Sequence, residues 1–178
     1  MLEVTVELAS EGGFDAVQMR EVSERADVAL GTLYRYFPSK VHLLVATLRW
    51  RFEAQEAHTA TRAVPGDTPR ERVMFILRRL TRGLQKEERL TEALVRAFMF
   101  ADASVSDEIR AVGGHLTGMI SRAVAGDPDH GEATAEEAAV IGIITDVWLA
   151  ALVAWVNGRA SVEDVERSVD VAVGRLLP

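Results

Sequence analysis

The chain has 178 residues, a formal net charge of −7 and no cysteine, and 48% of its residues are hydrophobic. This length and apolar content predict a folded protein with a buried core, which excludes a disordered chain. The lack of cysteine excludes a disulfide scaffold and a thiolate metal site, and is typical of a cytoplasmic protein. The histidines are too far apart in the sequence to suggest a metal site: His42, His58, His115 and His130.

The spacing of apolar residues predicts helices along the whole chain and no strand. Predicted helices span about 1–11, 19–26, 31–37, 39–60, 69–87, 90–103, 106–125, 133–157 and 161–176. Glycine, proline and polar turn residues separate them. Ser39, Thr68 and Ser161 are predicted N-caps, because each has a side-chain oxygen and directly precedes a helix. The predicted fold class is therefore all-α, with about nine helices.

Residues 20–40 predict two short helices joined by a tight turn, the pattern of a helix-turn-helix. Leu33 and Phe37 form the inner face of the second helix, and Pro38 ends it. Its outer face then carries hydroxyl, phenol and guanidinium groups, which suit the major groove of DNA. An ordinary helical hairpin is the alternative. The predicted DNA-binding residues are Arg20, Thr32, Tyr34, Arg35, Tyr36 and Lys40.

Different roles are predicted within this set. The Arg35 fork matches the O6 and N7 acceptors of guanine, so Arg35 is predicted to contact a base edge. Thr32, Tyr34, Tyr36 and Lys40 are predicted to contact phosphates, which position a protein without reading sequence. The alternative for either tyrosine is partial packing into the core of the motif.

The charge distribution supports this assignment despite the acidic total. Residues 16–51 hold six basic and three acidic side chains, so the rest of the chain carries a net charge of −10. Phosphate binding requires a local positive patch and not a basic protein.

The string GTLYRYFPSK at 31–40, preceded by EGGFDAV at 11–17, resembles the signature of the TetR family of transcriptional regulators. LTEALVRAFMFADAS (90–104), DVWLAALVAW (146–155) and RASVEDV (159–165) resemble the actinobacterial members of that family that repress sterol catabolism. The resemblance implies a DNA-binding domain of three helices over 1–45. It also implies a helical effector-binding and dimerisation domain over 46–178.

Two features depart from the family pattern. Asp27 stands in the turn where the family commonly has glycine, but aspartate tolerates left-handed backbone better than most residues, so the turn is expected to form. The first helix begins at Met1, without the basic extension that is usual in the family and with no secretory signal before it. Either the chain is shortened, or its DNA affinity relies on the motif alone.

The body carries many apolar and flexible side chains at helical spacing. From the residues alone a plain core is favoured, but the resemblance implies an effector pocket between the middle helices. Methionine adapts to bulky apolar guests. Asp102, Thr117 and Asp146 are polar candidates whose alternative is capping or a surface position. The predicted ligand-binding residues are Met74, Phe75, Phe98, Met99, Asp102, Leu116, Met119, Ile120, Trp148 and Leu152.

The last two predicted helices form the expected dimer surface. Residues 138–156 are apolar except for Thr145 and Asp146. A membrane span would place Asp146 near mid-bilayer at high cost, so a helix buried in protein is favoured and no membrane is expected. Two such helices from each of two chains would make a four-helix bundle. The predicted interface residues are Val140, Ile144, Trp155, Val162, Val165, Val169 and Val173.

The sequence predicts a homodimeric repressor that leaves operator DNA on binding a ligand, with no cofactor. No nucleophile–base pair or phosphate-binding glycine loop suggests an enzyme. The resemblance implies a sterol-derived effector carried as a steroid coenzyme A thioester, whose phosphates could meet Arg78, Arg79 or Arg82. A solvated helix face is the alternative for each arginine. A fatty acyl thioester or another hydrophobic effector remains open, as does a helical lipid-binding dimer without a DNA role.

Overall fold

The structure is a computed structural model that describes residues 1–59 and 63–177. Within these ranges the chain is all-helical without a strand, which confirms the predicted fold class. The helices are α1 (Leu2–Ala16), α2 (Met19–Arg25), α3 (Leu30–Tyr36), α4 (Lys40–Thr59), α5 (Pro69–Lys86), α6 (Glu88–Met99), α7 (Ser106–Ala125), α8 (Ala135–Val156) and α9 (Val162–Leu176). A short 3-10 turn, Ala103–Val105, precedes α7. The predicted end of the fourth helix at residue 60 lies outside the described residues.

The predicted caps are confirmed. The Ser161 hydroxyl accepts from the amide of Asp164, whose carboxylate accepts in return from the Ser161 amide. Thr68 and Glu71 make the same reciprocal pair at the start of α5. These bonds satisfy amides that a helix N-terminus leaves without partners inside the helix. Ser39 accepts from the amide of His42 at the start of α4.

The first helix continues past its predicted end at residue 11, but it bends sharply there. Gly12 has φ −150° and Gly13 has φ 68° and ψ −157°, so neither is helical. A Cβ at Gly13 would lie 2.7 Å from the Glu92 carboxylate. The left-handed backbone of Gly13 therefore favours glycine at this bend, and a side chain there would also displace the Glu92 carboxylate.

The turn between α2 and α3 forms as predicted. Asp27 is the one non-glycine residue with positive φ among the described residues, at 50°. The amide of the next residue, Val28, donates to the Ser23 carbonyl at 3.0 Å. Aspartate thus serves as the left-handed residue that ends α2.

The chain forms two compact units. The first contains Met1–Phe52 and Leu84–Val112, and the second contains Glu53–Gly83 and the chain from Gly113 onward. The predicted domains, 1–45 and 46–178, are defined by function and stay a prediction. Their boundary does not coincide with the boundaries of the compact units. The helix α6 belongs with α1–α3, and its apolar side chains complete their core: Leu90, Ala93, Leu94 and Ala97 pack with Leu8, Ala9, Val17, Val22 and Leu33.

In the second unit, α5, α7, α8 and α9 supply the buried residues. Arg72 on α5 donates to the carbonyls of Ala123 at 2.6 Å and Val124 at 2.9 Å, so it caps the C-terminus of α7. The side chain of Trp148 donates to Thr81 in the buried interior. The buried side chains include Met74, Leu77, Met119, Ile120, Ile141, Ile144, Trp148, Leu152, Val165, Val169 and Val173.

The helix α8 is apolar around its whole circumference. Among the described residues it is the one helix long and apolar enough to cross a membrane by length and composition, a test that the core helix of a soluble protein also passes. Its buried residues, Ile141, Ile144, Trp148 and Leu152, lie on one face. Ile143, on another face, is 52% exposed, so the single chain buries only one face of α8, and burial of the rest in a dimer stays a prediction.

Candidate functional site

The recognition helix α3 presents its polar side chains outward. Leu33 is fully buried, and Phe37 is partly buried against the same core. Tyr34 is 47% exposed and Tyr36 is 61% exposed. The structure therefore does not support the alternative that these tyrosines pack into the core. Arg35 lies between them and is exposed as well. The predicted orientation of the helix is confirmed, while the contacts of these residues with DNA stay predictions.

Arg35 stacks on its neighbour. Its guanidinium carbon lies 5.3 Å from the centre of the Tyr36 ring, within the range of a cation–π contact. The Tyr36 ring also lies 6.5 Å from the ring of Phe37, which is anchored in the core. The contact between Arg35 and the Tyr36 ring limits the rotamers of this exposed arginine and leaves its guanidinium at the surface.

Fewer cations are available around α3 than the sequence count implies. Arg25 pairs with Glu11 at 3.1 Å and Glu21 at 2.7 Å, and hydrogen bonds to these two carboxylates raise its pKa. Arg51 pairs with Glu87. Arg25 and Arg51 therefore serve structural contacts.

The other predicted DNA-binding residues occupy positions that fit their roles. Arg20 is exposed in the first turn of α2, and Thr32 is half-buried in α3. Lys40 begins α4 and is half-buried, with its ammonium 3.0 Å from the Phe14 carbonyl and 4.1 Å from the centre of that ring. Burial lowers the Lys40 pKa. Arg20 and Arg35 are thus exposed cations of the motif, and Lys40 is a half-buried one.

Most of the predicted ligand-binding residues belong to the second unit. Thr81 joins them, because the Trp148 indole donates to its hydroxyl at 2.9 Å, and that hydroxyl donates to the Leu77 carbonyl. Sequence reasoning missed Thr81, since a threonine within a helix gives no signal of its partner. The buried predicted residues are Met74, Met119, Ile120, Trp148 and Leu152, and Leu116 is half-buried.

Four predicted ligand-binding residues do not join this buried set. Phe75 is 39% exposed on α5, while Met99 is 55% exposed and belongs to the first unit, as half-buried Phe98 does. Asp102 is exposed, and it accepts hydrogen bonds from the amide and hydroxyl of Ser104. These bonds lower its pKa. Asp102 therefore caps the 3-10 turn Ala103–Val105, which is the alternative to ligand contact given for this residue above.

The remaining candidates for ligand contact lie at or near the surface. Arg78, Arg79 and Arg82 are exposed on α5, and Arg78 lies 3.7 Å from Glu166 on α9. Thr117 is half-buried and Asp146 is exposed. These positions match the solvated alternatives, and contact with a ligand stays a prediction for each.

A charged cluster that the sequence did not indicate joins α4 to α7 in the second unit. Glu56 lies 2.5 Å from His115 and 2.6 Å from Arg122. Burial acts to raise the pKa of Glu56, but the hydrogen bonds from Arg122 and His115 outweigh burial and leave this pKa lowered. Glu53 is 3.8 Å from the other ring nitrogen of His115. The partners are 59 or more residues apart, so no local pattern could reveal them.

The predicted dimer surface needs correction at four residues. Ile144, Val165, Val169 and Val173 are at most 2% exposed, because α8 and α9 pack on each other within one chain. Side chains buried in the chain's own core cannot contact a partner. Val140, Trp155 and Val162 are half-buried and stay predicted interface residues. Ile143 on α8 and Val171 on α9, which the sequence analysis did not select, are 52% and 60% exposed.

Known families match both parts of the chain. Residues 1–47 match the family described as bacterial regulatory proteins, tetR family, and residues 66–176 match the tetracyclin repressor-like C-terminal domain. The HTH-type transcriptional repressor KstR of Mycolicibacterium smegmatis is 48% identical over 177 residues, which cover 99% of this chain and 85% of the relative.

Solved structures share the fold. A TetR transcriptional regulator from Rhodococcus sp. RHA1 gives a TM-score of 0.88 at 31% identity, covering 99% of this chain and 92% of that chain. FadR from Bacillus subtilis, in complex with stearoyl-CoA, gives a TM-score of 0.62 at 15% identity, covering 99% of this chain and 95% of that chain. At 15% identity the likeness to FadR shows the fold alone.

Proposed function

The chain belongs to the TetR family of bacterial transcriptional regulators, and from this membership we propose a homodimeric, cytoplasmic repressor of sterol or lipid catabolism genes that a bulky apolar effector releases. Its KstR relative is named as a transcriptional repressor, and TetR proteins are regulators. The chain is accordingly a transcriptional repressor of the KstR type and not an enzyme. This relationship favours the repressor over a lipid-binding dimer without a DNA role.

The observation that carries the DNA side of the proposal is the outward face of α3. Arg35 reads a base edge there, while Tyr34 and Tyr36, both exposed, bind phosphates on either side of it. Thr32, Arg20 and Lys40 add phosphate contacts. In a dimer, two such helices enter major grooves about one helical turn apart, or a multiple of that, on a near-palindromic operator.

Dimerisation is supported by the apolar surface that α8 and α9 leave open in the single chain. Ile143 and Val171 are large apolar side chains that are mostly exposed, and Val140 and Trp155 are only half-buried. A second copy would remove this surface from water at about 25 cal/mol per Å² of apolar area. The proposed interface therefore consists of the outer faces of α8 and α9 rather than the valine stripe between them.

The buried apolar residues of the second unit support a large apolar effector. Met74 and Met119 are flexible and can rearrange around a guest, whereas the Trp148–Thr81 bond offers polar groups that could orient it. The resemblance of residues 90–104 and 146–155 to actinobacterial repressors of sterol catabolism favours a sterol-derived ligand, carried as a coenzyme A thioester. The thioester phosphates would lie near Arg79 and Arg82, which are exposed on α5.

A fatty acyl thioester is the second candidate. The solved FadR structure contains stearoyl-CoA, and its fold resembles that of this chain. An apolar interior of methionine, isoleucine and leucine does not by itself distinguish an acyl chain from fused rings.

Release would proceed through α4, because this helix has residues in both compact units. The first unit includes its residues up to Phe52, and the second unit includes those from Glu53 onward. An effector that binds the second unit more tightly when α4 is tilted would move the N-terminus of α4, where Lys40 lies. A coupling of about 1–3 kcal/mol, roughly 5–150-fold in DNA affinity, is ordinary for such linkage. By reciprocity, operator DNA must weaken effector binding by the same factor.

The test has two stages. A gel-shift experiment with DNA from upstream of the chain's own gene, at stated salt, first identifies an operator fragment. The complex is then titrated with matched steroid and fatty acyl coenzyme A thioesters, their free acids and coenzyme A alone. Release by the steroid thioester is expected. Release by fatty acyl thioesters but not steroids would refute the sterol effector and leave the repressor intact, whereas no specific DNA complex would refute the assigned DNA contacts.

A further inference from the structure

Phe14, at the bend of α1, is a point where three helices of the first unit meet. Its amide donates to the Glu92 carboxylate of α6 at 2.9 Å, and its carbonyl accepts from the Lys40 ammonium of α4 at 3.0 Å. Its ring lies 4.1 Å from the Lys40 ammonium and 4.5 Å from the Arg96 guanidinium of α6. One residue of α1 is therefore bonded to α6 on one side and to the first residue of α4 on the other.

The local sequence is adapted to this contact. Gly13 adopts φ 68°, and any Cβ there would collide with the Glu92 carboxylate at 2.7 Å. Arg89 of α6 donates to the Glu11 carbonyl on the other side of the bend. Arg96 also lies 3.5 Å from both Asp15 and Glu92. The bend thus places the Phe14 amide where α6 can hold it.

The position of Lys40 depends on the same residue. A lysine stem is flexible, and holding its ammonium in one place carries an entropic cost unless contacts fix it. The Lys40 ammonium contacts Phe14 twice, once at its carbonyl and once at its ring. An ammonium has three donors, so one bond to Phe14 leaves donors for a phosphate.

We propose that Glu92 and Arg96 of α6 are positioning residues for DNA binding, which hold Phe14 so that Phe14 holds the Lys40 ammonium against a DNA phosphate. The inference rests on the proposed phosphate contact of Lys40. It extends the DNA-binding machinery to a helix that lies about 50 residues beyond the recognition motif in sequence. Any shift of α6 relative to α1 would then weaken a phosphate contact directly.

The test is a double-mutant cycle between Glu92→Ala and Lys40→Ala, measured as operator affinity over a salt series. In the unaltered background, Glu92→Ala should weaken binding about tenfold, the size of one charge-assisted hydrogen bond. It should also lower the slope of log affinity against log salt by up to about 0.9, the share of one phosphate. In the Lys40→Ala background the same change should have little further effect, because the group that it positions is gone.

Two variants and one further measurement separate positioning from a general loss of structure. Glu92→Gln keeps an oxygen that accepts from the Phe14 amide and should bind within about twofold of the unaltered chain, because that bond is retained. Glu88→Ala, exposed in the first turn of the same helix, is the matched control and should leave operator affinity unchanged. Hydrogen exchange at the Phe14 amide, measured without DNA, should accelerate in Glu92→Ala and not in Glu88→Ala.

Equal losses from Glu92→Ala in both backgrounds would overturn the proposal, since they would indicate a structural role independent of Lys40. Identical binding by Glu92→Ala and Glu88→Ala would overturn it as well. If Glu92→Ala unfolds, Arg96→Met removes the cation from the Phe14 ring and takes its place in the cycle. Failure of the proposed function is distinguishable: Lys40→Ala would then leave affinity and salt slope unchanged, while exchange at Phe14 would still report the contact with α6.

Discussion

The indole nitrogen of Trp148 on α8 donates a 2.9 Å hydrogen bond to the hydroxyl of Thr81 on α5, and both side chains are at most 3% exposed. The Thr81 hydroxyl in turn donates to the Leu77 carbonyl at 2.8 Å. The bond therefore joins two helices of the second unit through a polar chain inside an apolar interior. Such a chain is costly to interrupt, because each buried group left without a partner loses its hydration without compensation.

Thr81→Val should destabilise the chain by about 1–3 kcal/mol, because it leaves the indole N–H buried without an acceptor. In a Trp148→Phe background the same change should cost less, since no N–H remains to be satisfied. Urea unfolding of the four variants gives the coupling free energy. Thr91→Val is the matched control, because Thr91 is a buried threonine that donates to the Leu84 carbonyl. Equal costs of Thr81→Val in both backgrounds would contradict the importance of the bond.

Arg35→Ala should reduce the preference for the operator over unrelated DNA while leaving the helix content and unfolding midpoint unchanged. One bidentate base contact accounts for about 1–3 kcal/mol of discrimination. Competition binding at fixed salt, with operator and scrambled fragments, measures this ratio. Tyr34→Phe is the contrasting variant and should weaken binding to both fragments alike, as expected for a phosphate contact. Undiminished preference in Arg35→Ala would assign base reading to another residue.

Arg72→Met should destabilise the second unit by about 2–3 kcal/mol, because the carbonyls at the C-terminus of α7 lose their donors. The Arg72 guanidinium also lies 3.2 Å from the Gly66 carbonyl and 3.3 Å from the Asp67 carbonyl. Arg72→Lys should recover only part of the loss, since an ammonium lacks the planar fork. Arg79→Met, exposed on the same helix, is the comparison and should shift the urea midpoint little. A similar shift for both would contradict the capping role.

Glu56 should make stability depend on pH in the acidic range. Its pKa is lowered from the ordinary value of 4.5, so its contribution is fully present above that value and is lost as pH falls through the lower, folded pKa. Glu56→Gln lacks this contribution, so the difference in unfolding free energy between the two chains should be present above pH 4.5 and shrink as the pH falls below it. Denaturation at several pH values measures it. A difference that stays constant with pH would show that the carboxylate charge is unimportant.

Gly113→Ala and Gly114→Ala should each stabilise the chain by up to about 1 kcal/mol, because alanine is the better helix former. Both glycines are exposed inside α7, and a Cβ at either position meets no atom within 4 Å. Gly126→Ala is the opposite case, with φ +70° and the Arg72 guanidinium 3.0–3.2 Å away, and should destabilise. Thermal unfolding compares the three. Destabilisation by Gly113→Ala would indicate that another surface packs closely there in solution.

Local sequence patterns are sufficient to predict the helix-turn-helix motif. They are insufficient to predict which side chains pack against each other in the folded chain. Leu33 and Phe37 define the inner face of α3 by spacing alone, and Asp27 supplies the expected left-handed turn. The same periodicity misleads in α9, because Val165 and Val169 look alike whether the stripe packs within one chain or between two. Burial inside the chain decides the case, and spacing does not encode it.

Long-range contacts account for the rest of what the sequence did not indicate. Glu92 and Phe14 are 78 residues apart, and neither belongs to a motif that predicts the other. The Glu56–His115–Arg122 cluster combines common surface residue types from two helices. Asp102 fits the pattern of a polar pocket residue, but its carboxylate instead accepts a hydrogen bond from the Ser104 amide in the three-residue turn that follows it.

The inclusion of α6 in the first compact unit bears on the engineering of hybrid regulators. A graft that transfers only residues 1–47 to another TetR body would leave Leu8, Ala9 and Val17 facing a foreign helix in place of Leu90, Ala93 and Leu94. The graft would also separate Phe14 from the carboxylate that holds its amide. A transplantable DNA-binding part would have to carry Leu84–Val112 along with the N-terminal segment, although the two are far apart in the sequence.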